Sequence, residues 1–456
     1  VMNWSFSRSF LLATSMVAVP VLIGPAFAQQ AGGTKSSSSE TAGLPEIVVT
    51  AQRKAENVLS VPLSIQALTG DQLKSAGIKD ISSLQFTSPG YLPTDSSGRT
   101  NIFVRGIGNS LFVGADPTVA TFIDDVPRVY ASLINEFVDV ERIELLKGPQ
   151  GGLYGRNATG GVLNIITRQP TTDKFGGKFE ISYGEKGSFR AAGYTNIPLG
   201  EKVALLVAAQ RERHDPFVKN QVSNTTPYTA ANFPTGSFLG SPAQTAAFFN
   251  SRVSPNAGYN DLNLWSVDAK LAIQVSDNFK INLAFDYNDR NDATGLGNVN
   301  LTQAFPQGLL RFILGGPGIN GVFPPSFFQS PSGNFTTVNG SLGRNPNRDF
   351  GVSGKMTWSL PDVDITAISA YRGQRLSFYE SITDASVPVI DDESHHRLWF
   401  YYEELRAAST GSGPFHYLAG ATYLKNHFEQ RNAAYILPPL GLPPYDTVVT
   451  QVTNWS

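Results

Sequence analysis

The densest set of potential metal ligands in this 456-residue sequence is Asp391, Asp392 and Glu393 beside His395 and His396. Carboxylates and imidazoles this close together could touch a ferric or other metal-bearing ligand. Adjacent histidines in an acidic stretch are more often simply solvated, so the sequence assigns no metal site and no cofactor. A second set, Gly148, Gly151, Gly152, Gly155, Gly160 and Gly161, has the residue type of a phosphate cradle. It fails as one, because no Gly-Lys-Ser/Thr follows and no strand–loop–helix frame surrounds it. These glycines read instead as tight turns where strands pack closely. Nucleophilic catalysis has five histidines and no cysteine to draw on, and no Gly-x-Ser-x-Gly elbow is present. The expectation is that the chain is not an enzyme. The remaining chemistry is ionic: Arg105, Glu141, Arg142, Glu144, Lys147 and Arg156 crowd charge into one region.

Composition limits the scaffold that can position these residues. Thirty-five basic side chains balance 37 acidic ones, which gives no reason to expect a nucleic-acid partner. Charged residues make up only 16%, whereas Gly (43), Phe (29) and Tyr (16) are plentiful, a mixture suited to a β-rich protein with many turns. The lack of cysteine excludes disulfide scaffolds and thiolate metal sites. Residues 1–28 read as a signal peptide: Arg8 opens it, Phe10 to Ile23 is its apolar core, and Ala26-Phe27-Ala28 is a cleavage motif. The mature chain is then expected to begin at Gln29. No later stretch approaches the roughly 18 apolar residues of a membrane helix. An exported chain of this kind is periplasmic, secreted or a β-barrel.

Residues 29–45 are a Gly/Ser/Thr-rich flexible linker. Glu46, Ile47, Val48, Val49, Thr50 and Ala51 follow as a short β-branched segment, and residues 52–170 look like a compact α+β domain. In it, Val61 to Leu68 reads as a strand, Thr69 with Gln72 as a capping box, and Gly77 as the stop of that helix. A second short helix is expected from the cap Asp80 to before Pro89. Strands are expected at Asn101–Val104, Val119–Ile123, Arg142–Lys147 and Val162–Thr167.

After Pro170 the pattern changes to long alternation. Trp265, Val267, Ala269, Leu271, Ile273 and Val275 alternate with Ser266, Asp268, Lys270, Ala272 and Gln274. After a three-residue turn, Phe279, Ile281, Leu283, Phe285 and Tyr287 alternate with Lys280, Asn282, Ala284, Asp286 and Asn288. Each run has the ~9–11 residues of a tilted transmembrane strand. Further runs fall near 177–184, 188–198, 203–213, 349–360, 363–373, 397–408 and 415–428, with another from about Val448. Connectors at 199–202, 276–278, 361–362 and 409–414 are short, while those at 214–263, 290–348 and 374–396 are long. Short turns on one side and long loops on the other mark a transmembrane barrel. The fold expected is therefore an α+β plug domain followed by antiparallel transmembrane β-barrel strands over residues 171–456.

Across residues 46–170 the sequence resembles the plug of the TonB-dependent receptors, which are plug-and-barrel active transporters of the outer membrane. The matching pieces are Ile47 to Ala51, Val104-Arg105-Gly106-Ile107-Gly108, Phe122-Ile123-Asp124-Asp125-Val126, and the long run from Val140 to Pro170. Glu404-Leu405-Arg406 and the aromatic strand at 415–424 resemble pieces of the family's barrel. Asp125 stands where the family usually has Gly, and Gly152 where Thr or Ser is usual; both departures bear on turn shape rather than function. The resemblance implies that Glu46 to Ala51 is a TonB box, which adds as a strand to TonB of the TonB–ExbB–ExbD complex. It also implies a multi-pass β-barrel in the cell outer membrane, in contact with outer-membrane lipid. Its function would be import of a scarce nutrient, most often a ferric siderophore. Haem, cobalamin, saccharides and aromatic compounds use the same architecture, and a soluble β-sandwich adhesin is the alternative of a different class.

On this reading Arg105, Glu141, Arg142, Glu144 and Arg156 are expected to make polar contacts from plug to barrel, with inward Asp268, Lys270, Lys280 and Asp286 as partners. A small-molecule ligand at the extracellular face is expected to meet Tyr91, Arg99, Asn109, Phe112, Phe327 and Phe328. About ten strands can be counted, whereas plugged transporters use ~22, so an incomplete barrel and an open, curled sheet are expected.

Overall fold

The computed structural model describes residues 47–50, 52–54, 56–96, 99–108, 117–128, 139–220, 258–293, 344–381, 390–411, 415–436, 445–447 and 452–455. Short pieces at 229–230, 241–244, 247 and 336–337 are also described. The expected signal peptide and linker, together with Glu46 and Ala51, lie outside the described residues.

The first domain begins with β1 (Val48–Val49), β2 (Glu56–Asn57), β3 (Ile65–Thr69) and helix α1 (Gly70–Ser75). It continues with β4 (Tyr91–Ser96), β5 (Arg99–Val104) and β6 (Ile107–Gly108), which form a small antiparallel sheet. Then come β7 (Val119–Ile123), β8 (Val126–Arg128), β9 (Val140–Lys147), helix α2 (Gly151–Tyr154) and β10 (Gly161–Thr167). The central sheet has the order β3-β9-β10-β7-β8. The capping box forms as its sequence dictates: Gln72 N donates to Thr69 Oγ1 at 3.3 Å, and Thr69 N donates to Gln72 Oε1 at 2.9 Å. Gly77 follows at φ +69°, the left-handed residue that stops the helix. The expected second helix is a 3-10 turn at Ser82–Phe86, where Ser83 N donates to Asp80 Oδ1 at 2.6 Å.

The domain's core joins the loop side chains Ile78, Ile81 and Leu84 to Val104, Ile143, Leu145, Leu163 and Ile165 from the strands. Each fully buried aliphatic side chain contributes about 1.5–3 kcal/mol. On the other face of the sheet, Val49, Val61, Phe122, Leu146, Tyr154 and Val162 form a second cluster. Two apolar faces explain why the strand sequences here are nearly continuous hydrophobic runs rather than alternating ones.

The second region starts with β11 (Gly176–Tyr183), β12 (Phe189–Pro198) and β13 (Val203–His214). The short strands β14 (Val218–Asn220) and β15 (Gly258–Tyr259) precede the long β16 (Leu262–Ser276) and β17 (Phe279–Asp292). After the short β18 (Thr336–Thr337) come β19 (Asn345–Ser359), β20 (Val363–Ser381), β21 (Ile390–Ser409) and β22 (Leu418–Ile436), then β23 (Tyr445–Thr447) and β24 (Val452–Trp455). The long strands pair antiparallel, each with the next, in one eleven-stranded sheet. β11 and β23 stand at its two ends, so the sheet is open. The short β14, β15 and β18 make a separate small sheet drawn from the two longest connections.

Burial along these strands is inverted relative to a water-soluble sheet. Trp265 is 55% exposed while its neighbour Ser266 is 1% exposed, and Val352, Met356, Trp358, Leu283 and Leu405 are open on the same outer face. Lys270, Asn288, Asp349, Arg372 and Asn426 are buried on the inner one. Apolar residues face outward and polar ones line the lumen, as in a barrel in lipid.

β20 and β21 depart from expectation. The sequence puts a loop at 374–396, yet the two strands run on to Ser381 and back from Ile390. A length criterion taken from the membrane core underestimates strands that continue above it.

Candidate functional site

The hairpin β7–β8 is closed by only Asp124 and Asp125, both with positive φ (+49° and +70°). This is the type I′ pattern, in which Asp tolerates the left-handed conformation and the turn twists with its strands. Asp125 thus takes a conformation that glycine adopts more easily, and what its side chain gains is an ionic node. Asp125 Oδ1 accepts from Arg53 Nη1 at 2.8 Å within the same domain. Its Oδ2 accepts from Lys355 Nζ of β19 at 2.6 Å and from Arg406 Nη2 of β21 at 3.4 Å. Burial on its own would raise the acid's pKa, but Lys355, Arg406 and Arg53 hold the carboxyl far below the usual carboxylate range. Arg53 lies over the rings of Phe122 (4.6 Å) and Tyr154 (4.3 Å), which fixes the guanidinium facing the node.

Asp124 points the other way. Its Oδ1 accepts from Thr167 N at 2.9 Å, and its carboxylate stands 3.8 Å from Lys270 Nζ of β16. Lys270 is only 6% exposed and donates also to Asp139 Oδ2 (3.2 Å), the Arg168 carbonyl (3.1 Å) and the Thr167 hydroxyl. Burial pushes the Asp139 carboxyl up, against the pull of Lys270. A third group centres on Arg128 of β8, whose Nη1 meets Asp349 Oδ1 at 3.4 Å. Arg372 of β20 donates to both oxygens of Asp286, at 2.7 and 2.5 Å, and also contacts Asp349. Two parallel N–H bonds from one guanidinium fix this geometry.

The contact is not ionic throughout. Val126, in the middle of the ionic hairpin, packs into an apolar cluster of the inner wall formed by Ile368, Ala370, Leu398, Phe400, Tyr402, Leu424 and Phe428. The sequence leads one to expect polar contacts; the inner wall carries an apolar one as well. Beside it a cavity of about 300 Å³ is lined by Arg53, Tyr154, Arg156, Glu404, Arg406 and Leu424.

Of the residues expected to bridge the domains, Arg105, Glu141, Arg142 and Glu144 bond within the plug, whereas Arg156 faces the wall across the cavity. Arg105 has φ +52° and donates to Ser64 Oγ at 2.7 Å within its own domain. Arg142 ion-pairs with the exposed Glu141 (3.0 Å) and the buried Glu144 (2.9 Å), so its contacts stay within the plug. Glu144 is wholly buried because β9 is a central strand. Arg156 lines the cavity. Among the inward residues, Lys270 and Asp286 meet plug groups. Asp268 lines the small chamber around Lys270, and Lys280 lies opposite Gln274 and Thr357 near a short turn. The bridging residues that sequence reasoning passed over are Asp124, Asp125, Arg128 and Asp139 from the plug, and Asp349, Lys355 and Arg406 from the wall. The wall residues were findable, because each sits at an inward parity position of its strand.

Ile47, Val48, Val49 and Thr50 lie docked on the plug. Val48 and Val49 pair with Asn57 and Glu56, Val49 is 0% exposed, and Thr50 N donates to Glu144 Oε1 at 2.8 Å. Of the expected ligand contacts, Tyr91 is a correction: it is 4% exposed, and its hydroxyl donates to the Ile81 carbonyl at 3.1 Å. A ring flanked by apolar strand residues gains more in the core than at a surface. Arg99 opens β5 opposite Ser96. Asn109, Phe112, Phe327 and Phe328 lie outside the described residues. His395 and His396 cannot converge on one ion, since neighbouring strand residues face opposite ways. His395 Nε2 stands 3.2 Å from Glu393 Oε1 on the outer side, whereas His396 is buried between the rings of Phe378 (5.2 Å) and Phe428 (5.3 Å). No set of three or more metal-ligating side chains occurs among the described residues.

An α+β domain packed by ion pairs and one apolar contact on the polar face of an outward-apolar antiparallel sheet defines a plugged outer-membrane β-barrel. Residues 57–162 match the TonB-dependent Receptor Plug Domain. The chain is 34% identical over 128 residues to the pesticin receptor of Yersinia pestis, covering 27% of this chain and 19% of that protein. It is 28% identical over 214 residues to the iron-regulated outer membrane virulence protein of Vibrio cholerae, covering 44% of this chain and 32% of that one. In fold it is similar to the ferric yersiniabactin uptake receptor of Yersinia pestis (TM-score 0.63, 18% identity, 84% of this chain and 51% of that). It is also similar to the ferripyoverdine receptor of Pseudomonas aeruginosa (TM-score 0.61, 13% identity, 91% and 51%). The chain therefore spans about half the length of the solved receptors it matches. Residues 57–162 are thus a TonB-dependent receptor plug domain, the strands that follow share the fold of these receptors, and the chain lies in the outer membrane.

Proposed function

We propose that the protein is a receptor that imports an iron chelate, most specifically a ferric siderophore, across the outer membrane, energised through TonB. The observation that carries this reading is the way the plug is held. Salt bridges from Asp124, Asp125 and Arg128 to Lys270, Lys355 and Asp349 hold the plug by polar contacts, which can be exchanged for water or other polar groups without unfolding the wall. The names of the relatives support the cargo class, since those proteins are receptors for ferric yersiniabactin and ferripyoverdine.

TonB contact is assigned to residues 46–51. The described part has one short strand partner in β2, and a segment with little pairing is suited to strand addition on another protein. The test is uptake of radiolabelled ferric siderophores under iron limitation, comparing the parent protein with Val48→Pro. Proline removes a main-chain donor that an added strand needs. Uptake is expected to be abolished while cell-surface binding of the chelate persists. Undiminished uptake in the variant contradicts the TonB assignment; absence of binding in the parent contradicts the cargo.

A further inference from the structure

The outer face of the wall carries a row that neither the plug nor a transport path uses. Asp289, Arg348, Arg375, Arg397 and Glu429 lie directly opposite one another on five successive strands. Their parity is that of Tyr287, Phe350 and Trp399, so they face outward with the apolar band. At the ends the charges are matched: Arg348 Nε meets Asp289 Oδ2 at 3.1 Å, and Glu429 meets Arg431 at 2.8 Å. In the middle, Arg375 and Arg397 are exposed and form no ion pair among the described residues, with Glu429, opposite Arg397, turned to Arg431 instead. Like charges directly opposite on a sheet, with Cβ atoms about 4.5–5.5 Å apart, repel. Such a row is stable where an anion lies between them.

Depth says where that anion is. Ten residues of β19 separate Arg348 from Trp358, roughly 33 Å of strand and about 25 Å along the membrane normal at the usual tilt. That distance equals the height of the lipid-facing band of such barrels, about 25 Å. Immediately beneath the row, Trp399 stacks on His427 at 5.2 Å and Tyr371 meets Tyr401 at 4.8 Å, an aromatic belt at the interface. The row stands at the end with the long connections, and Trp358 at the end with the short turns, so its leaflet is the outer one.

The geometry points to Arg375 and Arg397 as a binding site for the phosphate groups of an outer-leaflet phosphorylated glycolipid, with the aromatic belt against its acyl chains. Guanidinium is the group suited to phosphate, which it meets through two parallel N–H bonds. This inference rests on the outer-membrane reading and not on the cargo.

The probe is bisphosphorylated lipid A, titrated into the full chain in detergent with the bound fraction followed by native mass spectrometry. Arg375→Glu with Arg397→Glu is expected to weaken binding by at least about tenfold. Arg375→Lys with Arg397→Lys, which keeps the charge but not the paired N–H bonds, is expected to bind between the parent and the double Glu variant. Raising salt well above the ~0.1 M at which the Debye length is about 10 Å weakens the parent toward the double Glu variant. Dephosphorylated lipid A is expected to bind no better to the parent than to that variant. Three results overturn the site: unchanged affinity in the double Glu variant, equal binding of the dephosphorylated lipid, or displacement by millimolar inorganic phosphate. Heat-modifiable gel migration, unchanged in every variant, separates loss of the site from loss of the barrel.

Discussion

Lys355 and Asp125 lie 230 positions apart in sequence and 2.6 Å apart in space, and this pair ties a two-residue turn of the plug to the wall around it. It joins the plug's β7–β8 hairpin directly to strand β19 of the wall.

The depressed pKa of Asp125 sets a pH dependence. A carboxyl that ionises more readily when folded contributes stability above its unfolded pKa of about 3.9, and that contribution is lost as pH falls through the lower folded value. Plug seating is therefore expected to hold through mild acid and to weaken only well below pH 4. Asp125→Asn leaves Lys355, Arg406 and Arg53 facing one another and should cost on the order of 3 kcal/mol at neutral pH. Thermal melts of parent and variant between neutral and acid pH check this. A variant as stable as the parent at neutral pH contradicts the role given to the node.

Glu144 makes a second prediction. It accepts from Thr50, Arg142 and Asn164, and so anchors residues 47–50 to the central strand β9. Glu144→Gln keeps the shape and loses charge-assisted bonds worth about 1.5–3 kcal/mol. Hydrogen exchange at Val49 and Thr50 should then quicken by one to two orders of magnitude, while exchange in β19 to β21 stays as it was.

Much of this architecture is legible before any coordinates. Alternation from Trp265 to Tyr287 identifies both strands and both faces, because a period of two is a local property. The Thr69–Gln72 capping box is local as well. β4 escapes sequence reading because Pro93, Asp95 and Ser96 carry turn chemistry, while the strand is held by its partner β5. The ionic contacts escape for a deeper reason. Asp125 with Arg406, or Arg128 with Asp349, is a pairing fixed by how two domains nest, and no spacing rule links residues more than two hundred positions apart. The charge-dense stretch from Glu141 to Glu144 reads as interface, yet on the central strand β9 Glu144 is buried and Arg142 pairs with it and with the exposed Glu141 of the same strand.

Arg128 supports a third prediction. It sits 4% exposed by its side chain against Asp349, with Asp286 at 4.0 Å. Arg128→Met removes the plug's cation and leaves Arg372 to serve both acids, at a cost of about 3 kcal/mol. The loss should fall on plug seating: limited proteolysis cuts sooner within residues 57–162 while heat-modifiable migration is kept. Equal protection of the plug in parent and variant contradicts this.

The central claim is that one face of the strands meets lipid and the other meets the plug. The chain has no cysteine, so single labels can be placed at will. In vesicles made with brominated lipid, fluorophores at Val352→Cys and Leu405→Cys are expected to be strongly quenched, and those at Thr366→Cys and Asn426→Cys to be spared. Equal quenching at all four positions, or none at any, contradicts the account.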